Sequence, residues 1–446
     1  MNMLLQNKHS VKKFFFLVGL AGIFSPINIV GQPLFCDLSA ETAFLINAET
    51  GKPLFSKNAD SVFYPASTTK AATALYALHR KRESLDQLVT ISQDAVACVS
   101  IPMRRSSGKH PSYRLEFGGT HMGLKAGEQV DLKTLLYGLM LPSANDGANA
   151  IAETVSGSVL AFVSELNEFL REIGCQNTNF TNPHGLPDPE HKTTARDLAR
   201  IGQVAMKDPI FREIVSSSKF VKAQTNKQPE TILDQHNALV KPRHKHFYPY
   251  ATGVKIGYTI QAGHAMIASA EKGDRSLIAV VSHKEGAAQR YRSVIQLFET
   301  AFAEPKQTRT LLSKVHDVFH QNIVGAKSRL TATLAEDLTV SFYPSEEKTF
   351  HSQIFWNVSE PPISVGAKVG EVHIFDEFNA LQKTSFLVAA KAVEATFSYQ
   401  MKQKIQLGKL CIQKRRIYIA YSMAFILFAL AMLAVKRAKK ESRKAV

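Results

Sequence analysis

The chain is poor in cysteine and tryptophan, and the cysteine shortage excludes several kinds of site. Its 446 residues include one tryptophan and four cysteines, which are Cys36, Cys98, Cys175 and Cys411. The cysteines are widely spaced and form no Cys-x-x-Cys pair, so we expect no metal site held by cysteine. An exported protein could still form a disulfide from them.

Acidic residues are also few: the chain has 38 aspartates and glutamates against 54 lysines and arginines, so its formal net charge is +16. Much of this excess lies at the two ends of the chain, beside apolar segments. Basic stripes interleaved with aromatic residues, which are typical of nucleic-acid binding, do not occur. The charge pattern therefore favours membrane topology over a nucleic-acid partner.

Long apolar runs are confined to the two termini. Near the start, Lys8, Lys12 and Lys13 precede the run 14–24, which ends at Ser25-Pro26. A basic flank, a short apolar core and a polar exit predict a secretory signal peptide over residues 1–32, without fixing its cleavage site.

The C-terminal run, residues 417–435, contains no charge and is long enough to span a bilayer as a helix. A basic juxtamembrane linker (403–416) precedes it, and a more basic tail (436–446) follows it. Since basic tails stay in the cytoplasm, we expect a single-pass protein of the inner membrane with its body on the periplasmic side.

Between the termini the pattern divides the chain into two domains. Residues 36–304 alternate short apolar strands with alanine-rich helices and have strands at both ends, which predicts an α/β (α+β) layered domain with a sheet completed by non-local pairing. Residues 305–402 contain short alternating strands separated by turns and predict a small β-rich domain.

The most informative segment is 64–72, where Ser67 lies three residues before Lys70 at the start of an apolar, alanine-rich helix. At this spacing the hydroxyl and the amine lie on one helix face, so Ser67 could act as a nucleophile with Lys70 as its base. The motif is weak by itself, because the same spacing recurs at Ser10, Ser106, Ser216, Ser269 and Ser345.

Two later segments carry polar residues without an obvious packing purpose. Ser143 and Asn145 lie between two apolar helices, and Lys255 lies beside Gly253 and Gly257 at a strand edge. Taken separately, the first segment is typical of a helix cap and the second of a turn with a solvated lysine.

Taken together, and in this order, the three segments resemble the penicillin-recognising serine enzymes, which carry Ser-x-x-Lys, Ser-x-Asn and Lys-Thr-Gly motifs. Further segments resemble the low-molecular-mass D-alanyl-D-alanine carboxypeptidases in particular, namely 64–78, 125–128, 143–146, 182–186 and 253–270. The resemblance implies a serine β-lactamase/penicillin-binding-protein-like transpeptidase domain for residues 36–304. It also implies penicillin sensitivity and no metal or organic cofactor.

The resemblance implies a role for each matched residue. Ser67 would be the acylated nucleophile and Lys70 its uncharged general base. Ser143 would pass a proton to the leaving amine, and Asn145 would orient the peptide amide of the substrate.

The Lys-x-Gly segment would form the opposite wall of the cleft. Lys255 would attract the terminal carboxylate of the substrate, Gly257 and Tyr258 would shape the wall, and the N–H groups of Ser67 and Tyr258 would hold the oxyanion. Arg290 is a candidate second carboxylate holder, with Arg292 as a near alternative.

One residue departs from the family pattern. Position 256 is isoleucine where the family usually has threonine, whose hydroxyl helps to hold the substrate carboxylate. Isoleucine cannot donate that hydrogen bond. We therefore expect reduced or altered turnover with the chemistry retained.

The expected reaction removes the last D-alanine from peptidoglycan stem pentapeptides, and β-lactams would acylate the same serine; the sequence names no protein partner. Endopeptidase cleavage of cross-links, β-lactamase activity and a weakened penicillin-binding scaffold are the alternatives. A catalytic triad through His184 or His264 is disfavoured, because a lysine already supplies a base.

Overall fold

The fold is described from a computed structural model that covers residues 32–106, 110–284, 286–346 and 348–442. All but the last residue of the expected signal peptide, and the last four residues of the expected basic tail, lie outside these ranges. The described residues form an N-terminal unit (32–306 with 343–346) and a C-terminal unit (307–342 with 348–442).

The N-terminal unit contains eleven strands and eight α-helices among its described residues. Its strands are β1 (Thr42–Asn47), β2 (Pro53–Lys57), β3 (Leu88–Thr90), β4 (Cys98–Val99), β5 (Leu115–Glu116), β6 (Gln129–Asp131), β7 (Lys219–Lys222), β8 (Thr231–Asp234), β9 (Ala251–Thr259), β10 (Gly263–Lys272) and β11 (Arg275–His283). Its helices are α1 (Thr69–Lys81), α2 (Ile101–Ser106), α3 (Leu132–Met140), α4 (Asn145–Ser156), α5 (Val159–Glu172), α6 (Ala195–Ala205), α7 (Pro209–Ser216) and α8 (Ala287–Phe302).

A five-stranded antiparallel sheet in the order β2-β1-β11-β10-β9 organises this unit. Phe44 of β1 lies opposite Val280 of β11, so the first and last strands of the N-terminal unit pair in the interior of the sheet. The predicted layered α/β fold with non-local strand pairing is confirmed.

Apolar side chains cover both faces of the sheet, as expected for a three-layer arrangement. One buried cluster joins the sheet to α1, α3, α4, α5 and α6, and a second joins it to α8. Strand β9 lies at the edge of the sheet, and α1 is fully buried from Thr69 to Leu78. The start of α1 is thereby held against an accessible strand edge.

The C-terminal unit is β-rich and ends in one long helix. Its elements are β12 (Gln307–Leu312), β13 (Val318–Gln321), β14 (Leu330–Leu334), β15 (Leu338–Phe342), β16 (Phe350–Trp356), β17 (Lys368–Asp376), β18 (Leu381–Ala389) and α9 (Phe397–Ser442). Five of its strands form a sheet in the order β13-β14-β18-β17-β16, and β12 pairs with β15.

Helix α9 is a candidate membrane span. Its most apolar 18-residue window has a mean hydropathy of 2.2 and no buried residue. The expected span, residues 417–435, lies within this helix. Length and composition therefore suit a bilayer crossing.

Candidate active site

Ser67 and Lys70 meet at the start of α1. A short 3-10 turn (Ala66–Thr68) leads into the helix, and the Lys70 Nζ lies 2.9 Å from the Ser67 Oγ. Ala66 has a positive φ of 49°, which is a strained conformation for a residue with a side chain. The turn containing Gly185 fits closely against it, since a Cβ at 185 would lie 1.9 Å from the Ala66 carbonyl oxygen.

The remaining contacts of Lys70 define how its amine can act. Its Nζ lies 2.7 Å from the Asn145 Oδ1 and 2.7 Å from the His184 carbonyl oxygen. Both of these atoms can only accept hydrogen bonds. A neutral amine would donate its two N–H groups to them and would keep its lone pair for the Ser67 hydroxyl.

The environment of Lys70 favours that neutral form. The side chain is fully buried, and its pKa lies well below 10.5, chiefly because of burial and then because of the Lys255 charge, while Asp146 acts in the opposite direction. The Ser67–Lys70 pair can therefore place a hydroxyl next to an uncharged amine at a pH well below 10.5.

Ser143 and Asn145 lie on the segment that opens α4. Ser143 has a φ of 70°, and its buried Oγ has no hydrogen-bond partner among the described residues. A hydroxyl held in this way is available to a substrate atom.

Asp146, which lies outside the three sequence motifs, fixes the neighbouring loop. Its carboxylate accepts hydrogen bonds from the backbone N–H groups of Met122, Gly123 and Leu124 at 2.9–3.0 Å. Its position directly after Asn145, in the first turn of α4, is the sequence signal that could have indicated it. We infer a positioning role for this carboxylate.

Strand β9 brings Gly257 next to Ser67 and Lys255 close enough to act on Lys70 by its charge. A Cβ at position 257 would lie 2.9 Å from the Ser67 backbone nitrogen and 3.0 Å from the Pro65 carbonyl oxygen. Only glycine permits this close approach of β9 to Ser67. Lys255 is buried, and its pKa is lowered to about 7 by burial and by the Arg290 charge.

Arg290 lies behind this wall. Its Nη1 donates to the Gly257 carbonyl oxygen at 3.3 Å and its Nη2 donates to the Tyr291 hydroxyl at 3.3 Å. Its buried Nε has no partner among the described residues. Arg292 is exposed, so of the two candidate arginines Arg290 is the one that contacts the cleft wall.

Ile256 and Tyr258 also lie on β9. Ile256 packs against the apolar cluster that contains Tyr291, and therefore faces α8. Tyr258 is 55% exposed and stacks on the His264 ring with 4.4 Å between the ring centres.

Among the described residues, neither His184 nor His264 forms a hydrogen bond with Ser67, so neither completes a triad there. The Nδ1 of His184 accepts from the Leu186 backbone N–H, and its Nε2 lies 3.1 Å from the Tyr113 carbonyl oxygen. Burial, followed by the Lys70 charge, keeps the pKa of His184 well below 6.5. Its ring is therefore a neutral structural group, while its carbonyl orients Lys70.

A family model described as D-alanyl-D-alanine carboxypeptidase matches residues 28–286 of this chain. The chain belongs to this family. The predicted resemblance is thereby confirmed. The chain is 32% identical to D-alanyl-D-alanine carboxypeptidase DacF of Bacillus subtilis over 65% of this chain and 67% of that protein. It is 27% identical to DacC of Escherichia coli over 75% of this chain and 78% of that protein.

Solved structures of D-alanyl-D-alanine carboxypeptidases and penicillin-binding proteins share the fold. Penicillin binding protein 5 from Haemophilus influenzae has a TM-score of 0.54 and 25% identity, over 81% of this chain and 100% of that one. DacD from Francisella tularensis has a TM-score of 0.55 and 22% identity, over 83% of this chain and 97% of that one. The likeness therefore extends beyond the matched N-terminal unit.

Proposed function

We propose that this chain is a serine-type D-alanyl-D-alanine carboxypeptidase that removes the terminal D-alanine from peptidoglycan stem pentapeptides through an acyl-enzyme on Ser67. The observation that carries the proposal is the buried Lys70 amine, 2.9 Å from the Ser67 Oγ. Family membership supports the reaction type.

Acylation would begin when Ser67 transfers its proton to Lys70 and its Oγ attacks the carbonyl carbon of the penultimate D-alanine. The charge that develops on the carbonyl oxygen would be held by the N–H groups of Ser67 and Tyr258. Asn145 would orient the substrate amide, while Lys255 and Arg290 would hold the terminal carboxylate.

Collapse of the tetrahedral intermediate would break the peptide C–N bond. The leaving nitrogen would take up a proton through the Ser143 hydroxyl, and free D-alanine would depart. Water would then attack the ester, release the tetrapeptide and restore the Ser67 hydroxyl. A β-lactam would acylate the same oxygen.

The location of the enzyme is part of the proposal. The apolar residues 417–435 of α9 would cross the inner membrane once, with the basic tail in the cytoplasm and the N-terminal unit in the periplasm. The tail 436–446 carries six lysines and arginines in 11 residues, against five in the 14 residues of the linker 403–416, and this denser basic charge supports the orientation.

Parallel digestion of a pentapeptide muropeptide and a cross-linked dimer by the purified full chain tests the activity. We expect D-alanine release from the pentapeptide to be the faster reaction. Faster cleavage of the dimer would make the chain an endopeptidase, and rapid penicillin hydrolysis would make it a β-lactamase. If neither D-alanine release nor penicillin labelling occurs, the chain is a scaffold.

Ile256→Thr should increase the rate of Ser67 acylation by about tenfold. A threonine hydroxyl here can add one charge-assisted hydrogen bond to the substrate carboxylate, worth about 1.5–3 kcal/mol, part of which is offset by lost apolar packing. The measurement is the second-order rate of acylation by a labelled penicillin.

Ile256→Val is the matched control, because it shortens the side chain without adding a hydroxyl. Its acylation rate should stay within about twofold of the parent's. An equal or slower rate for the threonine variant would contradict the interpretation of position 256.

A further inference from the structure

A basic loop lies beside the carboxylate end of the cleft and has no role in the proposed reaction. We define the basic loop as residues 241–246, which read Lys-Pro-Arg-His-Lys-His. Arg243, His244 and Lys245 are exposed, and Arg292 of α8 is exposed as well. Four residues separate the loop from β9, the strand that carries Lys255.

Direct contacts connect this loop to the cleft. The His246 ring stacks on Tyr291 with 4.9 Å between ring centres, and the His244 ring lies 5.6 Å from that of His246. The Tyr291 hydroxyl accepts from Arg290, which also donates to the Gly257 carbonyl oxygen. Tyr291 and Arg290 thus lie between the basic loop and β9, the strand that forms the cleft wall next to Ser67.

The exposed cations in this region have no carboxylate partner among the described residues. Within the described ranges, neither Arg243, Lys245 nor Arg292 forms an ion pair with an acidic side chain. The pKa of His246 is lowered by burial and then by Lys245, His244, Arg292 and Arg290, so every neighbouring charge that acts on this ring is positive.

Arg290 supplies an independent sign of a missing ligand. Its side chain is only 7% exposed, yet its Nε has no hydrogen-bond partner among the described residues. A buried guanidinium normally satisfies its donors within the protein or with a ligand. The unused Nε donor of Arg290 and the exposed cations Arg243, Lys245 and Arg292 can together bind more negative charge than one substrate carboxylate carries.

We infer that the basic loop, Arg290 and Arg292 form a second anion site at the leaving-group end of the cleft, which takes substrates whose leaving residue carries an additional carboxylate. The inference rests on the proposed function, in which Lys255 and Arg290 hold the terminal carboxylate. The additional carboxylate would lie beyond the terminal carboxylate, towards Arg243, Lys245 and Arg292.

Two peptides that differ only in the leaving residue test the inference. One ends in D-alanyl-D-alanine and the other in D-alanyl-D-glutamate, so the second has one more carboxylate after the scissile bond. The full chain in detergent is compared with Arg243→Gln/Lys245→Gln, which removes two exposed cations. Lys207→Gln/Lys219→Gln is the matched control, since it removes two exposed lysines elsewhere.

We expect the basic-loop variant to lower kcat/KM for the D-glutamate peptide by about tenfold and to leave that for the D-alanine peptide within about twofold. High salt should reduce the difference between the parent and the variant. The control variant should behave like the parent with both peptides.

An equal effect on both peptides, or an effect on neither, would overturn the inference while the proposed function stands. Failure of the parent to release D-alanine would overturn the proposed function instead. Binding of the free dipeptide D-alanyl-D-glutamate to the parent and the variant would then decide the inference, with equal affinities contradicting it.

Discussion

Lys70→Met should slow acylation of Ser67 by about 10³-fold, because it removes the only base in contact with the hydroxyl among the described residues. Methionine has similar length and suits a fully buried position, so the fold should survive. The variant would lose the amine that lies between the Asn145 and His184 oxygens. The rate of labelling by a β-lactam measures the effect.

Lys70→Arg is the informative companion variant. A guanidinium keeps the positive charge and the ability to donate, but it does not lose a proton near neutral pH. If Lys70 acts as a base, both variants should be slow. If Lys70→Arg kept most of the parent rate, the lysine would act through its charge, and the mechanism proposed above would be wrong.

Lys222→Met should destabilise the N-terminal unit by about 3–5 kcal/mol, the usual cost of breaking a buried ion pair on one side. The Lys222 Nζ lies 3.0 Å from the Glu128 Oε1, and the two side chains are 1% and 0% exposed. Urea unfolding of the full chain in detergent measures the loss in the free energy of unfolding, with retained penicillin labelling as the readout of folded protein.

Two controls accompany this variant. Lys219→Met lies on the same strand but is exposed, so it should cost less than about 0.5 kcal/mol. The double variant Glu128→Gln/Lys222→Met should recover much of the loss, because no unpaired charge stays buried. A loss below about 1 kcal/mol in Lys222→Met would show that the Glu128 charge is satisfied without the lysine.

The pH dependence of this pair has a defined sign. Burial alone would raise the pKa of Glu128, but hydrogen bonds from Gln228, the Lys125 backbone, Lys222 and Thr225 hold it below 4.5. A carboxylate with a lowered pKa stabilises the fold above its unfolded pKa, and this stabilisation disappears as the pH falls through the folded pKa. This loss of stability at low pH should be smaller in Lys222→Met than in the parent.

The fold class could be predicted because apolar periodicity and turn residues are strong signals in the N-terminal unit. In that unit, the turn residues Glu49-Thr50-Gly51 predict the hairpin of β1 and β2, and the apolar runs 265–270 and 277–282 predict the paired strands β10 and β11. The pattern is a weaker guide in the β-rich unit, where the short runs 315–318 and 363–365 each predict a strand. The structure instead begins β13 at Val318 and gives Ile363 a single bridge, because short alternating runs do not distinguish strands from extended loops.

Side chains of the site could be selected from the motifs, but their contacts could not. The spacing of Ser67 and Lys70 predicts a shared helix face, and the structure gives the 2.9 Å separation. Backbone contributions were missed, including the His184 carbonyl that accepts from Lys70. A carbonyl oxygen is present at every residue, so sequence does not mark the one that folding brings to the site.

Acylation of the full chain by a β-lactam, followed by mass spectrometry of the digested protein across a pH series, tests the central claim most directly. An uncharged Lys70 that activates Ser67 predicts that the added mass lies on the peptide containing Ser67. It also predicts that the rate rises with pH to a plateau, through a pKa well below 10.5. Added mass on another residue, or a rate that rises only near pH 10.5, would contradict it.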